Sequence, residues 1–233
     1  MLALCMALIF VACDNGNENN DNGGGETQKE TVAMEHDYQE VEQNLETMGK
    51  STGYMITYSI TSSATGEADE SYTLTMGMKG DVYYVKGEDG DESYYDLSGD
   101  TAAVIYTKAA GDTVWSKQSV SYEYVGKETY TSTLDTEFMS FATMYSLFAN
   151  SEATKTSATI CGRTCDKYTV NYSYLAVAGF TFTYEIYVDA ETSACLKLYC
   201  AGSYAGESGA VNFECTSFET NPTITLPTVD DAA

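Results

Sequence analysis

The chain has 233 residues, with 35 Asp and Glu against 11 Lys and Arg and a formal net charge of −24. So acidic a chain repels nucleic-acid phosphates and anionic lipid headgroups, and its few cations are scattered singly, which excludes nucleic-acid binding as a function class. The length leaves room for one domain with a real core, and the acidity reads as solubility on a cell surface.

Leu2–Val11 is an uncharged apolar run, too short to span a bilayer, which needs about 20 apolar residues. It ends in Phe10-Val11-Ala12-Cys13, and from Asp14 onward the chain is polar and rich in Asn and Gly. This junction resembles a bacterial lipoprotein signal peptide with its lipobox. The resemblance implies removal of residues 1–12, lipid (palmitate or a similar acyl chain) on Cys13, and an extracytoplasmic protein held at the cell membrane. Each buried CH₂ contributes about 0.8 kcal/mol, so one chain holds weakly and two or three hold stably. An ordinary cleaved signal peptide and a piece of a membrane helix remain the other readings of these residues. Residues 14–33 show no apolar period and read as a flexible acidic tether; twenty such residues reach roughly 25 Å.

The domain is expected over residues 34–228, with a loose tail at 229–233. Met34, Tyr38, Val41, Leu45 and Met48 recur at spacings of four and three, which predicts a helix, with Gly49 as its stop. The period then changes to two. Tyr54, Ile56, Tyr58 and Ile60 alternate with polar residues, and so do Tyr72, Leu74, Met76 and Met78. Short Gly- and Asp-rich turns separate Val82–Lys86, Ser93–Leu97, Thr101–Lys108 and a strand around Trp115, which is the pattern of an antiparallel meander. Phe138, Phe141, Tyr145 and Phe148 predict a second, aromatic helix. Five further strands follow at Thr156–Ile160, Asp166–Tyr174, Phe180–Val188, Ala194–Cys200 and Val211–Phe218. The fold class is therefore α+β: a strongly curved antiparallel sheet, or half-closed β-barrel, with two helices covering its concave apolar face.

If Cys5 leaves with the leader and Cys13 carries lipid, Cys161, Cys165, Cys195, Cys200 and Cys215 remain, an odd set. Cys200 and Cys215 fall on the same apolar face of neighbouring strands and are either small core residues or one disulfide. Cys161-Gly162-Arg163-Thr164-Cys165 has three residues between its thiols, not the two of a thioredoxin-like motif.

The stretch Tyr184-Glu185-Ile186-Tyr187-Val188-Asp189-Ala190-Glu191-Thr192, then Leu196-Lys197-Leu198, Val211-Asn212-Phe213 and Asn221-Pro222-Thr223-Ile224-Thr225-Leu226-Pro227, resembles the end of LolA-like and LppX/LprG-like proteins. In that family a Tyr/Trp-Val-Asp-x-x-Thr strand precedes a hairpin, and a Pro-flanked strand closes the sheet. The resemblance implies a half-barrel with helices in its mouth and a lipid or lipidated protein carried between them. It brings no catalytic residue and no cofactor. Tyr58, Ile60, Leu74, Met76, Phe182, Tyr184 and Ile186 are the expected cavity lining, and Phe138, Phe141, Tyr145 and Phe148 the expected lid. The many Tyr residues depart from a pure acyl carrier, since buried hydroxyls need partners.

Other chemistry is poorly supplied. The single His, His36, sits on the polar side of the first helix, so a triad has no second candidate base. No His/Cys set has zinc spacing. Glu18, Asn20, Asn22 and Gly23 mimic half an EF-hand loop, but Lys29 occupies the position that needs a bidentate Glu. Glu88-Asp89-Gly90-Asp91-Glu92 reads as an acidic hairpin turn before it reads as an ion site. No carboxylate spacing points to glycoside hydrolysis. The expectation is a non-enzymatic, membrane-anchored carrier of a lipid or acylated ligand. The alternative is a surface interaction module with a solid core.

Overall fold

The computed structural model describes residues 31–33, 47–131, 152–173 and 181–229. They form one sheet of twelve antiparallel strands. These are β1 (Thr31–Ala33), β2 (Tyr54–Ala64), β3 (Glu70–Lys79), β4 (Val82–Lys86), β5 (Glu92–Asp96), β6 (Ala102–Lys108), β7 (Ser116–Ser121), β8 (Glu152–Ile160), β9 (Arg163–Ser173), β10 (Thr181–Asp189), β11 (Cys195–Tyr204) and β12 (Glu207–Thr220). Their spatial order is β1-β8-β9-β10-β11-β12-β2-β3-β4-β5-β6-β7, so two meanders join where β12 pairs with β2. No pairing joins β1 to β7 among the described residues, and the sheet is unclosed. The β7 edge is polar and largely exposed, which discourages pairing with another chain.

Alternation along each strand puts the apolar residues on one face, and the register aligns them across strands. One row runs Tyr168, Ile186, Leu198, Phe213, Ile60, Tyr72 from β9 to β3. A second runs Tyr54, Met78, Tyr83, Tyr95, Ile105 from β2 to β6. Most of these residues belong to one buried cluster or pack against it. Burying each large apolar side chain contributes about 1.5–3 kcal/mol, and this is what fixes the register against a one-residue slip.

The sheet is strongly curved at one end. The Arg163 guanidinium, at the start of β9, lies 5.2 Å from the Phe218 ring on β12. A flat sheet would hold those strands three spacings apart, roughly 14 Å. Two β-bulges supply the bend: one between β10 and β11 at Tyr187/Val188, one between β12 and β2 at Cys215/Ser217.

Several expectations are corrected here. Thr31–Ala33, read as the end of the tether, pairs with β8. Gly49 does not stop the first helix: residues 47–51 are helical, and the left-handed cap is Gly53, at φ 80°, whose amide bonds to the Met48 carbonyl. Gly49 serves a close approach instead, since a Cβ there would meet Met78 Sδ at 2.4 Å. The segment from Asn221 to Pro227 is not a strand. β12 ends at Thr220, Asn221 turns the chain at φ 59°, and two prolines cannot donate to a ladder. The rest of the first helical stripe (Met34, Tyr38, Val41, Leu45) and the expected lid (Phe138, Phe141, Tyr145, Phe148) lie outside the described residues, as does Cys13.

Candidate functional site

The concave face is built mainly from β2, β3, β10 and β11. It brings together the seven residues expected to line a cavity. Tyr58 stands directly opposite Leu74, and Met76 opposite Ile56. Phe182 stands opposite Gly202, where a side chain would press within 3.3 Å of the Phe182 ring. Phe182 and Tyr184 lie near-parallel with centroids 6.5 Å apart. Tyr58 is 3% exposed, Ile60 1%, Tyr184 1% and Ile186 1%; Leu74 is half-buried. Met48 and Tyr130, from the helical residues at 47–51 and 127–131, pack against the same cluster.

The Tyr58 hydroxyl is anchored within this face. Tyr58 Oη donates a 2.6 Å hydrogen bond to the Cys195 carbonyl, reaching past β12 to β11. Burial, reinforced by the neighbouring Cys195, Cys215 and Tyr54, pushes the Tyr58 hydroxyl well above its ordinary pKa, so it stays a donor. Burial likewise pushes the Cys195 thiol up to about 12.

The curved end is pinned by a polar knot that sequence reasoning missed. Asp189, 2% exposed, accepts from Arg163 Nε at 2.9 Å and Nη2 at 2.8 Å, and from the Thr192 amide at 3.0 Å and hydroxyl. Burial alone would raise the Asp189 carboxyl; the Arg163 and Thr192 bonds outweigh it and hold the carboxyl below the usual range. The Val188-Asp189-x-x-Thr192 motif therefore holds a turn. Its signal lay in the Asp–Thr spacing, but its Arg partner is 26 residues away.

The opposite face carries two further features. Tyr84, Tyr94 and Trp115 form an aromatic chain with centroid separations of 4.8 and 5.3 Å. Lys108 sits 4.9 Å from the Trp115 ring and 2.8 Å from Glu92, which also accepts from Tyr84. Glu92 is thus held by protein cations, and Gly87–Asp91 closes as a hairpin turn. An open groove of about 510 Å³ lies among Ser63, Thr183, Tyr199, Ala201, Ser203 and Ala210, with a lining about equally polar and apolar.

Cys200 and Cys215 are correctly placed on the buried face, but the disulfide reading is corrected. Cys200 pairs with Val211, four residues from Cys215 along β12, and no disulfide joins the two. No group of three or more His, Cys, Asp or Glu side chains is placed to hold a metal among the described residues. Among those residues, no helix is long and apolar enough to cross a membrane.

No family model matches the chain, and no curated protein matches it. Among solved structures it is similar to MucB in complex with MucA(peri), at 12% identity and a TM-score of 0.35, over 81% of this chain and 57% of that one. It is similar to LprF from Mycobacterium bovis at 9% identity and a TM-score of 0.32, over 83% and 97% of the two chains. A LolA superfamily protein from Nitrosomonas europaea is similar at 10% identity and a TM-score of 0.27, over 82% and 94%. The chain spans less than two thirds of the MucB chain. The structural neighbours thus include the groups read from residues 184–227. Likeness at these scores carries no argument about ligand or activity, and the architecture rests on the strand order and register above.

Proposed function

We propose that this chain is a membrane-anchored exported lipoprotein whose domain binds a lipid or other apolar ligand, as a carrier or chaperone-like protein. The observation that supports the reading is the single-sided sheet: aligned apolar rows cross strands β9 to β6 on one face of an unclosed sheet. Such a face must be covered, and a covering that can part exposes an acyl-sized apolar trough. Acyl chains on Cys13 hold the protein at the membrane, and no basic patch shares that work. The proposal includes no catalytic step.

A second reading, an interaction module with a solid core, is favoured by one observation. The expected lining is almost wholly buried, and Tyr58 is tied to the Cys195 backbone. Native mass spectrometry of the full chain, extracted from a bacterial host in mild detergent, separates the two. The carrier reading expects Cys13 acylated and a second, non-covalent lipid mass that is lost on unfolding. An acylated protein without that mass supports the solid-core module, and an unacylated Cys13 removes the anchor.

A further inference from the structure

Two of the large apolar side chains exposed among the described residues are neighbours in sequence: Tyr124, 91% exposed, and Val125, 52%. They follow β7, and a closed turn displays them. Tyr122, just before them, is buried; its amide donates to the Thr101 carbonyl at 2.9 Å, and its ring packs on Tyr130 at 5.9 Å. The Glu123 amide donates to Ser121 Oγ at 3.1 Å. The Gly126 amide, at φ 75°, donates to the Tyr122 carbonyl at 2.8 Å. The turn is rooted in the core on one side and capped on the other, so Tyr124 and Val125 are held outward at its crest. β7 is one edge of the sheet, and β1, where the chain arrives from Cys13, is the other. Seventeen residues separate Cys13 from β1. A coil of that length reaches roughly 20–25 Å.

We propose that the Tyr124–Val125 tip is a membrane contact: the β7 edge rests on the bilayer while the acyl anchor holds the β1 edge to the same surface. The contact rests on the anchor reading above. Two side chains cover a few hundred Å² at most, far below the roughly 1,200 Å² of a stable protein interface. A protein partner therefore finds too little here, whereas a bilayer needs no matching surface. Tyr suits the headgroup level, with its ring against acyl chains and its hydroxyl in water, and Val adds apolar area beside it. Alone, such a tip holds weakly. The tether makes the contact intramolecular and raises the local lipid concentration into the millimolar range. The adjacent charges are Glu123, Lys127 and Glu128, which form no basic patch. The contact is therefore apolar, insensitive to salt and weakened by anionic lipid.

The test uses the full chain, extracted in mild detergent and reconstituted into phosphatidylcholine vesicles whose acyl chains carry bromine, a short-range quencher of tryptophan. Tyr124→Trp places a second Trp at the tip, and the wild-type chain, with Trp115 alone, is the reference. Flotation and the mass at Cys13 report the anchor; quenching reports the tip. The expected result is loss of about half of the added emission in brominated vesicles and none in plain ones, at low and high salt alike. Val125→Asp in the same chain should abolish the quenching and leave the melting temperature unchanged, since the position is exposed. Equal emission in both vesicles, on a chain that floats, overturns the proposal, and so does a dimer in light scattering with the tip unquenched. An unacylated Cys13 removes the anchor reading instead. The tip is then tested on the Cys161→Asn chain, which loses its exposed thiol at a turn of φ 51° that suits Asn, coupled through Cys13 to a maleimide lipid. Quenching there keeps the membrane contact, and its absence removes it.

Discussion

Replacing Asp189 with Asn isolates the polar knot at the curved end. The substitution preserves shape but removes the charge and turns one acceptor oxygen into a donor, facing groups that are already donors. The wild-type carboxylate accepts four hydrogen bonds, two of them from Arg163 and two from Thr192. Charge-assisted bonds are roughly twice as strong as neutral ones, and each contributes about 1.5–3 kcal/mol net. The Arg163 side chain is 27% exposed, so water already weakens part of this, and we expect a loss of about 2–3 kcal/mol. For a domain of this size that lowers the melting temperature by about 4–12 °C. Urea and thermal unfolding followed by circular dichroism measure it. The pH dependence gives a second readout. A carboxyl held below its unfolded value of about 3.9 contributes stability at neutral pH, and that contribution is lost as pH falls through the folded value. Asp189→Asn should therefore flatten the acid limb of the stability curve below about pH 4. Arg163→Gln leaves the buried carboxylate half-partnered, and the double variant should show about 1–2 kcal/mol of coupling. The Arg163 contact with Glu191 contributes little, since Glu191 is 81% exposed. A variant within about 0.5 kcal/mol of wild type, with an unchanged acid limb, refutes the reasoning.

Three other outcomes follow from the same geometry. Tyr58→Phe strands the Cys195 carbonyl in the core and should cost about 1–2 kcal/mol in urea unfolding, with no change in secondary structure. Gly53→Ala sets a Cβ 2.8 Å from the Met78 carbonyl at φ 80°, and should cost about 2 kcal/mol in the same assay; no loss would mean that the cap is not left-handed. Glu92→Gln removes the Lys108 bond that, ahead of the opposing effect of burial, holds the Glu92 carboxyl below its ordinary value. It should cost about 1 kcal/mol at pH 7, and the cost should fade as the pH falls through the depressed folded value of the wild-type carboxyl.

What the sequence made legible is what depends on period alone. Phe182, Tyr184, Ile186 and Val188 alternate cleanly, and all four are buried on the expected strand. The same holds for Tyr54 to Ile60, because a one-faced sheet writes its burial into every second residue. What depends on distance across the chain stayed hidden. Cys200 and Cys215 share a face, but only the register shows that Cys200 meets Val211. Asp189 declared its turn through Thr192 but not its partner Arg163. Gly49 and Gly53 are four residues apart, and only the second has the φ that ends a helix. The Pro-flanked C-terminal stretch resembled a strand through its apolar positions. Its Ile224 instead rests near Gly77, where a Cβ would come within 3.3 Å of it, and Lys79 holds the stretch by bonds to Asn221 and the Pro222 carbonyl.

The bulges give the concave face two unlike ends. Toward the bend, Leu196, Cys195, Cys215 and Asp189 are sealed, and the chain crosses its own trough through Arg163 and Tyr58. Toward the β11–β12 hairpin, Phe182, Cys200 and Val211 are 7–8% exposed. There the facing strands thin to Gly202 and Gly209, and the register rows run out into Ser62 and Glu70. A packed core loosens where contacts are fewest and backbone bonds face water. If an apolar ligand parts this face, the parting must begin at the Phe182 end, because opening the other end would break the Asp189 knot and the Tyr58 bond together. The Tyr residues that looked wrong for an acyl carrier then have a place: Tyr58 fixes the closed end, while Phe182 and Tyr184, stacked beside Gly202, form the end that can yield.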